Sequence, residues 1–62
     1  MPKYRKKPIV IEAVQVPKEF SVETMEGVMT GKPGDYLVTG VKGEQYPVDR
    51  EIFEETYELV ED

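Results

Sequence analysis

A chain of 62 residues reads as one small domain, 1–62. Such a domain buries only about 60% of the surface its unfolded form exposes, so marginal stability is expected and a homodimer is as natural a state as a monomer. It has no cysteine, histidine, tryptophan or asparagine and a single serine, Ser21, which excludes disulfide frameworks, Cys/His zinc sites and Ser/His or Cys/His nucleophiles within one chain. Net charge is −5 but dipolar: Lys3, Arg5, Lys6 and Lys7 contribute +4, whereas Asp49 to Asp62 carries −6, so the termini either pair with each other or offer two opposite patches to partners.

Nine valines, three isoleucines and four threonines outnumber the two leucines and one alanine, a balance that favours pleated strands over packed helices. The first expected strand is Pro8 to Val16, apolar on both alternating faces apart from Glu12 and Gln15; such a run reads as buried on both sides, and Pro17 ends it. Phe20 to Thr24 alternates next. Met25-Glu26-Gly27 reverses it into Val28-Met29-Thr30, a hairpin. Lys32-Pro33-Gly34-Asp35 predicts a type II turn, proline supplying the fixed φ of the first central position and glycine the positive φ of the second. A strand from Asp35 to Val41 follows, and Lys42-Gly43 closes a second hairpin into Glu44 to Val48, which by Pro47 lies at a sheet edge or ends there.

After Val48 the pattern becomes helical. Asp49 is a good N-cap, and Ile52, Phe53, Thr56 and Tyr57 form an apolar stripe over one or two turns. The like-charged pairs Glu51/Glu55 and Glu54/Glu58 sit at i, i+4, so the helix must be held by Ile52 and Phe53 against the sheet. For residues 54–60 helix and strand both remain open, since Tyr57 to Val60 fits a final strand. Residues 1–6 and 61–62 are expected to fray.

Several blocks then carry a resemblance. They are Lys3 to Gln15 (KYRKKPIVIEAVQ), Glu26 to Thr30 (EGVMT), Lys32 to Val38 (KPGDYLV), Gly40 to Glu44 with Tyr46-Pro47, and Ile52-Phe53-Glu54 with Thr56-Tyr57. In this order, over nearly the whole chain, they resemble a family of small phage and prophage proteins named for a Pro-Gly-Asp-Tyr (PGDYG-like) core, whose function is unassigned. Members of that family often carry a longer segment before the Glu-Gly-Val-Met block than the one found here between Val16 and Met25. The resemblance implies a phage or prophage origin; with the poverty of catalytic residue types it leads to the expectation of an accessory protein, and the lack of cysteine makes the cytoplasm of the bacterial host the expected compartment.

Each suggestive cluster has a simpler reading beside the functional one. Pro33, Gly34, Asp35 and Tyr36 would place an acid and an aromatic beside backbone N–H groups at a ligand site; a structural turn with Asp35 accepting local N–H bonds and Tyr36 packing on the sheet is the favoured reading. Gly40-Val41-Lys42-Gly43 lacks the ending and context of a phosphate loop and reads as a hairpin turn. Asp35, Glu44 and Asp49 would need to converge to hold a cation or do acid/base work, and solvated carboxylates are the simpler reading. Lys3, Tyr4, Arg5, Lys6 and Lys7 are cations with an interleaved aromatic, suited to phosphate and an unpaired base, but a sequence pI near 4.6 is opposite to the usual nucleic-acid footprint.

The fold expected is therefore α+β and mostly β: five to six antiparallel strands in a curled sheet or small partly open barrel, with one short helix near Asp49 to Thr56. Its core would draw on Ile9, Ile11, Ala13, Val14, Val22, Val28, Tyr36, Val38, Tyr46, Ile52, Phe53, Tyr57 and Leu59. The expected function is a non-enzymatic protein-binding module, its partner a host factor, with no catalytic residue, metal or cofactor. Candidate partner-binding residues are Lys3, Tyr4, Arg5, Lys6 and Lys7 at one end and Glu51, Glu54, Glu55 and Glu58 at the other. Nucleic-acid binding through the basic arm is the alternative. No apolar run exceeds three residues, Ile9 to Ile11, so membrane insertion is not expected.

Overall fold

A computed structural model describes residues 1–60; the expected fraying of 61–62 lies outside the described residues. The chain is mostly β. Its elements are β1 (Glu12–Gln15), β2 (Phe20–Thr24), β3 (Gly27–Gly31), β4 (Tyr36–Thr39), β5 (Gln45–Val48) and one helix, α1 (Arg50–Thr56). They form two antiparallel sheets: three strands in the order β1-β4-β5, and the separate hairpin β2-β3.

The two sheets do not join into a barrel, and Pro47 supplies a reason. Gly40 N donates to Glu44 O (2.8 Å), and Tyr36, Val38 and Val48, Tyr46 continue the same register, so the even-numbered residues of β4 and β5 bond each other. The odd-numbered backbone groups of β5 then point outward, toward the hairpin. One of them is Pro47, which has no N–H to give. The hairpin packs against β5 without a ladder between them, and the sheet stops there, at the edge Pro47 predicted.

Turn chemistry places the strands. Gly34 has φ +94°, and Asp35 N donates to Lys32 O across the turn (3.0 Å), as the type II assignment requires. Gly27 has φ +115° at the end of the Met25-Glu26 reversal, where Thr24 Oγ1 accepts from Glu26 N (3.1 Å) and donates to Gly27 O (2.8 Å). Phe20 lies opposite Gly31, and its ring occupies the space a Cβ at Gly31 would need.

The first strand is shorter and far more exposed than the sequence suggested. Only Glu12–Gln15 pair, and all four are exposed. Glu12 already faces Thr39, the last residue of β4, so residues 8–11 run past the end of their only partner strand, and β1 itself is an edge rather than a doubly covered strand. The core is correspondingly thin. Val38 is fully buried, Ile11, Val22, Tyr36, Tyr46, Phe53 and Tyr57 are half-buried, and Ile9, Ala13, Val14, Val28, Ile52 and Leu59, all expected inside, are exposed. With a three-stranded sheet covered on one face by a seven-residue helix, there is too little second layer to bury them.

The helix begins where Asp49 predicted. Asp49 Oδ2 accepts from Glu51 N (3.1 Å) and Ile52 N (3.3 Å), an N-cap. It ends at Thr56, because Tyr57 is already extended at φ −120°, ψ 155°. Residues 57–60 form no strand, so the open choice over 54–60 resolves as helix to 56 and irregular chain beyond. The residues holding the helix down are Phe53 and Tyr57. Ile52, rotated about 100° around the axis from Phe53, is 58% exposed.

Candidate functional site

Two features organise the face on which α1 lies. The first is Asp35, the residue after the Pro-Gly turn and only 7% exposed. Its Oδ2 accepts from Lys32 N (2.9 Å) and its Oδ1 from Arg50 N (3.1 Å), so one carboxylate closes its own turn and also ties it to the first residue of the helix. Its backbone is engaged as well: Val16 N donates to Asp35 O (2.9 Å), and Gly34 N to Val16 O (2.8 Å). Three chain segments meet at this one residue. The N–H bond from Lys32 is the main cause holding the Asp35 carboxyl below its ordinary value, with Arg50 adding a second N–H bond and both cations adding charge, against an opposing push from burial.

The second feature is an aromatic stack. Tyr36 and Phe53 lie with ring centroids 3.9 Å apart, and Phe53 and Tyr57 4.8 Å apart. Tyr36 leads out of the turn on β4, opposite Gln15 and Val48, while Phe53 and Tyr57 are one helical turn apart, so a single stripe of α1 and its exit meets one sheet residue. Tyr36 Oη donates to Glu54 Oε2 (3.2 Å). Burial first, and then Glu54, push the Tyr36 phenol up; burial first, and then the Tyr57 hydroxyl, do the same for Tyr46.

The N-terminal arm reaches the far end of this stack. Lys6 Nζ lies 5.8 Å from the Tyr57 ring centroid, within cation–π range. Between the arm and the chain leaving α1 runs an open groove of about 800 Å³, walled by residues 8–11 on one side and 57–60 on the other, with Ala13, Tyr36 and Phe53 beneath and Glu54 and Glu58 at its rim. Its walls are apolar and wet: Ile9 is 51% exposed, Val10 69%, Leu59 84% and Val60 61%.

The structure separates the candidate residues from one another. Pro33, Gly34, Asp35 and Tyr36 serve as a turn and its anchors, with both Asp35 oxygens engaged by main-chain N–H groups. Asp35 and Asp49 both lie at the start of α1, but Glu44 stands over Gly40 in the β4–β5 hairpin, accepting from Lys42 N (3.0 Å), so the three acids do not converge. Among the described residues no three Asp or Glu side chains group as metal ligands. Lys3, Tyr4, Arg5, Lys6 and Lys7 are all exposed, as are Glu51, Glu54, Glu55 and Glu58. The ion pair found among the described residues is Lys32 to Asp49 at 3.6 Å, so the two charged ends approach through Lys6 and an aromatic ring rather than through carboxylates.

Sequence reasoning missed the groove. Its walls come from residues 8–11, expected to be strand, and 57–60, for which helix and strand were both open, and nothing in their pattern says that both run past the sheet. The one available signal was the i, i+4 spacing of Phe53 and Tyr57, which placed those rings together but not over Tyr36.

No curated protein and no solved structure shows significant similarity to the chain. The family model described as PGDYG protein matches residues 1–58, a span that takes in the arm, the Asp35 turn and the aromatic stack, and the chain accordingly belongs to the PGDYG protein family.

Proposed function

We propose that this chain is a non-enzymatic binding module, a phage- or prophage-derived accessory protein of the host cytoplasm that docks an apolar, extended segment of a protein partner such as a host factor. The observation that carries this reading is the groove: exposed Ile9, Val10, Leu59 and Val60 over an aromatic floor, with Glu54 and Glu58 at the rim. An exposed apolar surface rimmed by polar residues is the usual mark of a protein interaction site. The absence of cysteine and histidine supports a role without covalent or general-base chemistry by those groups. The acidic rim favours a partner with basic residues flanking its apolar ones.

The test is capture of host proteins by the intact chain, compared with Leu59→Asp and with reversal of Glu51, Glu54, Glu55 and Glu58 to lysine. A specific partner lost by both variants supports the reading; a partner indifferent to both refutes it. Salt-sensitive binding of single-stranded nucleic acid, abolished by deleting residues 1–7, would replace it with the alternative.

A further inference from the structure

The three-stranded sheet treats its two edges differently. On the β5 side one of the two outward positions is Pro47, which cannot donate, and the β2-β3 hairpin lies against that strand. On the β1 side neither device is present. Val16 N donates to Asp35 O and the register runs Val14 to Leu37 and Glu12 to Thr39, so the even-numbered residues of β1 bond β4, and the backbone groups of Ala13 and Gln15 face outward. Ile11 continues that alternation. All of Glu12–Gln15 is exposed. An open edge of this kind is a template for another strand.

We propose that this edge pairs, antiparallel and across a two-fold axis, with the same edge of a second copy of this chain. The register that uses every outward position sets Ala13 opposite Ala13 on the axis and Ile11 opposite Gln15. It also sets Glu12 opposite Val14 rather than opposite its own counterpart, avoiding the directly facing like-charge pair that an axis at Glu12 would create. Val14, 56% exposed, alternates with Ala13 and so lies on the face away from α1. There the pairing sets Val14 diagonal to Val14, covering apolar surface that the single chain leaves wet. The result is one six-stranded sheet, β5-β4-β1-β1-β4-β5.

Charge complementarity favours a second copy over an unrelated strand. Antiparallel pairing directs the basic arm of one copy past Gln15 of the other. Tyr36 stands opposite Gln15 and hydrogen-bonds Glu54, so Lys3, Arg5, Lys6 and Lys7 travel toward the acidic helix, and the same contact is made twice by symmetry. This pairing stands independently of the docking reading, because it uses the outer edge of β1 rather than the groove beside α1.

The test is solution mass by sedimentation equilibrium on the intact chain up to about 1 mM, the weakest association of interest, with amide exchange followed by NMR. The pairing predicts 14.2 kDa, twice the 7.1 kDa chain, and protection of the Ala13 and Gln15 amides that grows with concentration. Ala13→Pro removes an outward N–H that the monomer does not use, and Val14→Glu sets glutamates diagonal to each other and opposite Glu12; each should raise the dimer dissociation constant at least about tenfold. If Ala13→Pro fails to fold, Val14→Glu decides, since its site is exposed. A mass of 7.1 kDa at every concentration overturns the proposal. So does a dimer that survives in folded Val14→Glu, or one whose Ala13 and Gln15 amides exchange no more slowly than in the monomer.

Discussion

Among the described residues Val38 is the one fully buried hydrophobic side chain, at 0% exposure. It sits in the middle strand with Ala13 and Tyr46 as its cross-strand neighbours. Replacing it with alanine removes two methyl-sized groups from the point where all three strands meet. At about 0.8 kcal/mol per buried carbon the transfer term is about 1.6 kcal/mol, and the partly collapsed cavity brings the cost to roughly 2 kcal/mol. A domain of this size holds about 3 to 9 kcal/mol in all, so Val38→Ala removes about a fifth or more of it. In a small domain each kcal/mol moves the midpoint by about 4 to 8 °C, which gives a fall of about 8 to 16 °C by calorimetry. In urea, with a slope near 1 kcal/mol/M, the midpoint drops by about 2 M. The control is Val28→Ala on β3, where the side chain is 67% exposed and the expected change stays within about 0.5 kcal/mol. If the two variants melt within about 4 °C of each other, Val38 is not the centre of the fold and the packing argument fails.

Other consequences follow from the turn, the phenols and the hairpin. Because Asp35 has a depressed folded-state value relative to 3.8, its contribution to stability is present above that pH and is lost as pH falls through the folded value. Urea titrations from pH 7 to 2 should therefore show an acid-side loss that Asp35→Asn flattens; an unchanged profile would remove Asp35 as its source. Tyr36 and Tyr46 have raised values relative to 10.0, so their contribution is complete below pH 10 and is lost as pH rises through the folded values. Tyrosinate absorbance should show a late-ionising component that diminishes in Tyr46→Phe, and a titration complete at the ordinary phenol value would contradict the burial of these rings. Gly31→Ala would drive a methyl into the Phe20 ring and should cost about 1 to 3 kcal/mol. Phe20→Leu in the same background should recover part of that loss, and no recovery would mean that the glycine is required for another reason.

Local chemistry was legible where a residue's own covalent structure restricts the backbone. Proline and glycine at 33 and 34 specified the type II turn, Pro47 specified an edge, and Asp49 specified the start of α1, because each acts over three or four neighbouring residues and needs no distant partner. The same holds for the family, since the blocks from Lys3 to Tyr57 stand in order along the chain. Positions in the core were another matter. The run Ile9 to Val14 is as apolar as a buried strand, yet all of it except the half-buried Ile11 is exposed, because β4 ends at Thr39, opposite Glu12, and no second layer reaches beyond it.

Periodicity reports which faces are apolar, and the apolar composition of residues 1–62 was sufficient to announce a β-rich chain with one short helix. It does not report how far the neighbouring strand extends, and that length decided that β1 would be an open edge. Nor does it reveal that Asp35 would reach Arg50, fifteen residues away, or that Tyr36, Phe53 and Tyr57 would stack into the floor of a groove. Those contacts join segments distant in sequence, and only the tertiary structure brings them within hydrogen-bonding and van der Waals range.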